Sequence, residues 1–341
     1  MCFARYHSDL CHFAAFAMAG AHIWRQNVVD PNAIDRIEAL NQCIRDGGID
    51  SLIIAAEALH ENTLKEVADR IRTRPAIRLV LIAGPSSSGK TTSSKRIESQ
   101  LESDGVRTFA LSLDNYFVNR ERTPIDENGE HDFESIYALD LELFNENLTD
   151  LLANRKVLLP RFNFKEGCRS DKYTPFELAP GQILVVEGLH GLNDELTYSI
   201  PNDFKFKIYA SPTPTLNLGN GGTASLDTRL IRRMVRDNKF RGHCARSTIQ
   251  RWPSVRRGEE KYIVPFRPMA DFHFNSSLVY ELAVLKRHVL PLLCGIQRDE
   301  VEHAEAKRLF EILEPFEVIP HDSMPAHSIL REFIGGSIYN Y

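Results

Sequence analysis

Leu79-Val80-Leu81-Ile82-Ala83-Gly84-Pro85-Ser86-Ser87-Ser88-Gly89-Lys90-Thr91 is the stretch that decides the fold. Its first five residues form an uninterrupted apolar run, as a strand buried on both faces of a parallel sheet requires. The next eight fit G-x-x-x-x-G-K-[ST], and residues 92–101 follow without a Pro or Gly to interrupt a helix. Strand, glycine-bounded loop and helix in that order are the context a phosphate-binding loop needs. Glycines let backbone N–H groups curl around a phosphate, the helix N-terminus adds partial positive charge, and the lysine reaches the terminal phosphates. The expected nucleotide-binding residues are therefore Gly84, Pro85, Ser86, Ser87, Ser88, Gly89, Lys90, Thr91 and Thr92, with the Thr91 hydroxyl directed to Mg²⁺.

Working outward, apolar strands alternate with helices from about Pro75 onward. Strands are expected at Ile77 to Ala83, Thr108 to Leu113, Ile183 to Val186 and Phe204 to Tyr209, with helices near 90–103, 139–153, 226–238 and 277–293. That alternation predicts an α/β fold of the P-loop NTPase type, a parallel sheet with helices on both faces. Residues 1–75 read as a short helical N-terminal appendage, and 76–341 as the nucleotide-binding domain. Within the appendage, Ile34, Ile37, Leu40 and Cys43 keep helical spacing, as do Leu59, Leu64, Val67 and Ile71.

The 341 residues carry a formal net charge of -5, with 43% hydrophobic and 26% charged residues. This is the balance of a soluble globular protein and argues against binding nucleic acid or anionic membrane through overall charge. Six scattered cysteines without a C-x-x-C pair fit reduced thiols rather than a zinc site or disulfide framework. The small-residue stretch from Cys11 to Trp24 is too short to span a bilayer and lacks the basic start of a signal peptide. A cytoplasmic location is expected, with no nucleic-acid or membrane partner; homo-oligomerisation stays open.

In such sheets ligands lie beyond the carboxyl ends of the strands. Asp114 follows the second strand, where a carboxylate accepts a proton from an attacking hydroxyl, helps to hold Mg²⁺, or merely caps a turn. Glu187 closes the third strand and is the expected second metal contact beside Thr91, directly or through water, or else a plain strand-end carboxylate. Arg229, Arg232, Arg233 and Arg236 recur at i, i+3, i+4 and i+7, a basic face that suits a lid closing over phosphates better than a solvated surface. Phe162-Asn163-Phe164 spaces two aromatics around an amide, suited to a flat base or equally to a half-buried strand.

With these residues in view, the chain resembles the uridine kinase and phosphoribulokinase family. It is most similar to a bacterial-type nucleoside kinase branch whose longer members carry threonyl-tRNA synthetase-related N-terminal domains. The resemblance rests on residues 84–92, Leu113 to Phe117, Asp132-Phe133-Glu134, Leu159-Pro160 with Phe162-Asn163-Phe164, and Glu187 to Asn193. It continues through Asp227 to Arg233, Gly258 to Ile263, Ala270-Asp271 with Phe274 to Ser276, and Arg331-Glu332-Phe333-Ile334-Gly335-Gly336-Ser337. It implies an ATP- and Mg²⁺-dependent kinase acting on a small-molecule nucleoside, uridine- or cytidine-like. Asp114 would be the general base, Lys90, Arg229, Arg232 and Arg233 the phosphate-stabilising cations, and Tyr116 and Asp132 the sugar contacts. Phe162 and Phe164 would hold the base, with Arg169 a further acceptor contact. Gly167 stands where the family carries a base-contacting histidine. Leu218 to Ala224 replaces a more polar segment ahead of the lid, and only the tail of the synthetase-like domain would remain in residues 1–75.

Two other readings stay open: a P-loop ATPase that activates water, and a non-catalytic nucleotide-binding protein. A GTPase is disfavoured, because Asn238-Lys239 is followed by Phe240-Arg241 instead of completing N-K-x-D.

Overall fold

The computed structural model describes residues 29–127, 129–163, 166–217, 224–320 and 323–339. In chain order the main elements begin with α1 (Ile37–Arg45), α2 (Ile49–Arg72), β1 (Leu79–Ala83), α3 (Lys90–Ser103) and β2 (Thr108–Ser112). Then come α4 (Leu141–Leu152), β3 (Val157–Leu159), β4 (Phe162–Asn163), β5 (Cys168–Arg169), β6 (Thr174–Phe176) and β7 (Ile183–Glu187). The chain continues through β8 (Lys205–Ser211), α5 (Ala224–Arg241), α6 (Ala245–Tyr262), β9 (Phe272–Asn275), α7 (Glu281–Cys294), α8 (His303–Leu313) and α9 (Arg331–Ile334).

The central sheet has the order β2-β7-β1-β8-β9, and every ladder in it is parallel. Side chains alternate between two apolar layers, as the period of a strand demands. Val80, Ile82, Val185, Phe206 and Ile208 face one layer, which α2, α3, α5 and α7 complete. Leu79, Leu81, Leu184 and Val186 face the other, closed by Phe144, Leu148 and Leu151 of α4. The expected strands and helices are all present, shifted by a few residues at their ends. The edge strand β9 and helices α6 and α8 lie outside that expectation. Between α4 and β7 the chain forms two small antiparallel pairs, β3 with β6 and β4 with β5.

The N-terminal helices pack as part of this core. Leu52, Ile53, Leu64, Val67 and Ile71 of α2 join the same cluster as Ile97 and Leu101 of α3. Each such side chain contributes roughly 1.5–3 kcal/mol on burial. A polar seam adds register: the Tyr280 hydroxyl donates to Glu57 at 2.9 Å, and Arg96 donates to Glu61 at 2.8 Å. The stretch 11–24 and the earlier part of the expected appendage lie outside the described residues, as do 218–223 of the altered segment. No helix among the described residues is long and apolar enough to cross a membrane.

β1 hydrogen-bonds to β7 on one side and β8 on the other, so successive βα units leave it in opposite directions. This reversal of strand order opens a crevice at the carboxyl end of β1. The register aligns Glu187 of β7 with Ile82 of β1 and Ser112 of β2, bringing three strand ends to one edge.

Candidate active site

At the carboxyl end of β1 the backbone passes too close to β8 to leave room for any side chain at position 84. A Cβ on Gly84 would stand 2.0 Å from the Ala210 carbonyl oxygen and 2.8 Å from Ser88 Oγ. Ser87 adopts a left-handed backbone, φ 58°, a conformation that costs a non-glycine residue roughly 1–2 kcal/mol. The hydroxyls of Ser87 and Ser88 are buried without a partner. Unpaired buried hydroxyls beside a ring of backbone donors are what a phosphate would satisfy, so the loop fits the nucleotide its sequence implies. Lys90 Nζ donates to the Pro85 carbonyl at 3.0 Å, curling over the loop. Burial holds its pKa below the ordinary lysine value, while Glu187, Glu332 and Asp114 pull it back up.

The two strand-end acids lie within electrostatic reach of that lysine. Glu187 accepts from Ser112 Oγ at 2.8 Å. Burial, and then the Asp114 charge, push the Glu187 carboxyl up to about 7. Asp114 lies in the short 3₁₀ turn after β2 and is exposed. Crowding by the surrounding chain raises its pKa, and Lys90, Arg241 and Arg236 oppose the rise. The Glu187 carboxylate is the kind of donor Mg²⁺ takes, since that ion binds few protein ligands beside phosphate oxygens and keeps several waters.

The arginines of α5 divide between two tasks. Arg229 donates from Nε to the Ser86 carbonyl at 2.9 Å, pairs with Glu259, and lies over the Trp252 ring at 5.3 Å. Arg233 donates to Ser86 Oγ at 2.7 Å. Arg232 turns into the protein instead. It is fully buried, donates to Glu281 at 2.8 and 2.5 Å and to the Ser276 carbonyl at 2.8 Å, and lies over Phe333. Adjacent helical residues point about 100° apart, so Arg233 can face the loop while Arg232 reaches Glu281 on α7. Arg236 pairs with Asp237 at 2.7 Å, close enough to Asp114 to act on its charge.

The residues expected on the acceptor side are more dispersed. Asp132 accepts from the Tyr262 hydroxyl at 2.6 Å, and its neighbour Glu134 reaches the same space as Lys90, Arg233 and Glu259. Burial, and then Glu259, push the Glu134 carboxyl up to about 7. Tyr116 is fully buried; its hydroxyl accepts from Asn147 at 3.0 Å and its ring packs edge-on against Phe144. It supports the core beneath Asp114. Phe162 on β4 is half-buried, its ring 5.7 Å from that of Phe117. Phe164 lies outside the described residues. Arg169 donates to Asp140 at 3.0 Å and to the Phe117 carbonyl at 3.4 Å, lining a shallow recess of about 240 Å³ with Asn119, Arg122 and Tyr173. The Arg120 guanidinium occupies the space where a side chain at Gly167 would stand.

Two further carboxylates touch the loop that the spacing argument left without a role. Glu259 Oε1 accepts from the Ser86 N–H at 3.2 Å, and Glu332 accepts from the Thr92 N–H at 3.2 Å and its hydroxyl at 2.7 Å. Both lie within stretches quoted above for their resemblance, but their sequence distance from the loop hides the contact.

A model of the phosphoribulokinase / uridine kinase family matches residues 79–282. The uridine kinase of Staphylococcus aureus (strain JH9) is 30% identical over 197 residues, covering 58% of this chain and 86% of that protein. Among solved structures, a possible uridine kinase from Bacillus stearothermophilus aligns over 62% of this chain and all of its own, at 20% identity and a TM-score of 0.41. A D-glycerate 3-kinase from Cryptococcus neoformans aligns over 80% of this chain and 88% of its own, at 13% identity and a TM-score of 0.33.

Proposed function

This chain belongs to the phosphoribulokinase / uridine kinase family, and from that premise we propose that it phosphorylates a nucleoside hydroxyl with Asp114 as general base. The coarser statement follows from membership itself: it is a P-loop kinase that uses ATP and acts on a small molecule. Bound Mg²⁺·ATP supplies the transferable phosphoryl group, and catalysis by the protein consists of positioning and charge stabilisation. Residues 84–92 would hold the phosphates. Thr91 and Glu187 would hold the cation, with Glu187 ionised. Lys90, Arg229 and Arg233 would neutralise the charge that develops on the phosphoryl oxygens.

The observation that carries the reading is the position of Asp114. It is an exposed acid in the turn just beyond β2, under the influence of Lys90 and of two arginines from the end of α5. A carboxylate there is open to an incoming hydroxyl and accepts its proton as transfer proceeds. Asp132, fixed by Tyr262, and Phe162, beside Phe117, would bound the acceptor. Arg232 and Tyr116 serve by holding α5 and the turn after β2 in place.

The test is ADP formation from Mg²⁺·ATP with nucleosides, nucleoside monophosphates and pentose phosphates offered in turn. ADP formed with nucleosides alone supports the proposal. ADP formed only with a phosphorylated acceptor moves the substrate class elsewhere in the family. Equal ADP with and without every acceptor makes the protein an ATPase.

A further inference from the structure

We propose that Glu332 occupies the nucleotide's phosphate position in the resting protein and that the C-terminal segment 323–339 is an autoinhibitory strap displaced when ATP binds. This rests on the reading that residues 84–92 bind the nucleotide phosphates. In the first turn of α3, backbone N–H groups have no intrahelical partner and are the donors that make the loop an anion site. The Thr92 N–H and hydroxyl are instead held by one oxygen of Glu332, at 3.2 and 2.7 Å. A carboxylate and a phosphate cannot share that N–H, and their like charges repel.

The strap is built onto the loop and the lid together. Ile329 Cδ1 stands 2.3 Å from the place a Cβ on Gly89 would take, so the side chain closes over the glycine next to Lys90. Phe333 is buried beneath the Arg232 guanidinium. Lys239, near the end of α5, donates to the Ile334 carbonyl at 2.5 Å. The helix that bears Arg229 and Arg233 is thus tied to the segment that bears Glu332. Displacement of Glu332 by phosphate would loosen α9 and free α5 to settle on the nucleotide. The contact also stabilises the empty protein, because an acidic group at a helix N-terminus satisfies donors and complements the dipole.

Glu332→Gln keeps size and one acceptor oxygen but removes the charge. ATP affinity, measured by calorimetry on the full chain with Mg²⁺ present, should tighten about five- to tenfold, a change of roughly 1–1.4 kcal/mol. The apo melting temperature should fall slightly. A melting temperature that falls with ATP affinity unchanged or weakened makes Glu332 a structural cap or a nucleotide contact, and overturns the proposal. Hydrogen exchange of wild-type protein gives an independent check. Saturating Mg²⁺·ATP should speed exchange across 329–335, whereas slower exchange means that the strap clamps on the nucleotide and overturns the inference. Lys90→Ala separates the two readings: if it leaves ATP affinity intact, the loop is not the phosphate site, and both readings fail.

Discussion

Replacing Glu187 by Gln should stabilise the nucleotide-free protein, although it removes a proposed metal ligand. The substitution preserves shape and the bond from Ser112 Oγ, and deletes one charge at a strand end shared with Asp114. Burial and Asp114 raise the Glu187 carboxyl from 4.5 to about 7. A carboxyl raised by folding contributes stability that is fully present below the unfolded value of 4.5 and lost as pH rises through about 7. The full shift corresponds to ~3 kcal/mol, and partial solvent contact reduces this to ~1.5 kcal/mol. Unfolding a chain of this length carries an entropy of about 0.7 kcal/mol/K. The variant should therefore melt about 2 °C above wild type at pH 8, and the gap should shrink to a fraction of that at pH 5. Saturating Mg²⁺·ATP should reverse the order, because the cation favours the charged carboxylate and the variant has lost a ligand. Differential scanning calorimetry at both pH values, with and without Mg²⁺·ATP, reads all four cases. A Glu187→Gln protein that melts below wild type at pH 8 without nucleotide refutes the reasoning, because Lys90 and Ser112 would then more than offset the cost of burying the charge.

The division of the α5 arginines has a direct consequence. Arg232→Met should cost about 3–5 kcal/mol by leaving Glu281 buried without its partner, whereas Arg233→Ala should barely move the melting temperature but lower kcat about 10²- to 10³-fold. Denaturant titration and steady-state kinetics on both variants check this, and an equal stability loss in the two would contradict the assignment. Tyr116→Phe should cost about 1 kcal/mol through the unpaired Asn147 amide and leave the acceptor KM unchanged; a raised KM would return Tyr116 to the acceptor site.

How much of this was legible in the sequence varied with how local each interaction is. β1, the loop and α3 were readable because one contiguous stretch contains the buried strand, the left-handed backbone of Gly89 and the helix start. That Asp114 and Glu187 would come near one another was readable because strand ends in a parallel sheet converge on one edge, whatever their sequence separation. Arg232 was grouped with the loop-facing arginines because spacing defines a helix face only to within a quadrant. Arg232 lies at the margin of that face, and the pull of Glu281 from α7 was invisible. Tyr116 follows Asp114 closely enough to resemble a site residue, but the 3₁₀ turn at 113–116 points it into the core against Phe144 and Asn147. Strand β9 was missed because an edge strand of four residues with one buried side chain leaves little apolar pattern. Glu332 could not be placed by spacing, being 240 residues from Thr92.

The central claim is that Asp114 accepts a proton from an organic acceptor rather than from water or from nothing. The most direct measurement is Asp114→Asn, assayed for Mg²⁺·ATP affinity and for ADP formation with the acceptor that wild type uses. The account expects ATP affinity within about twofold of wild type and turnover reduced roughly 10²- to 10⁴-fold. Full turnover in Asp114→Asn would contradict it, and so would a loss of activity explained wholly by a loss of ATP binding.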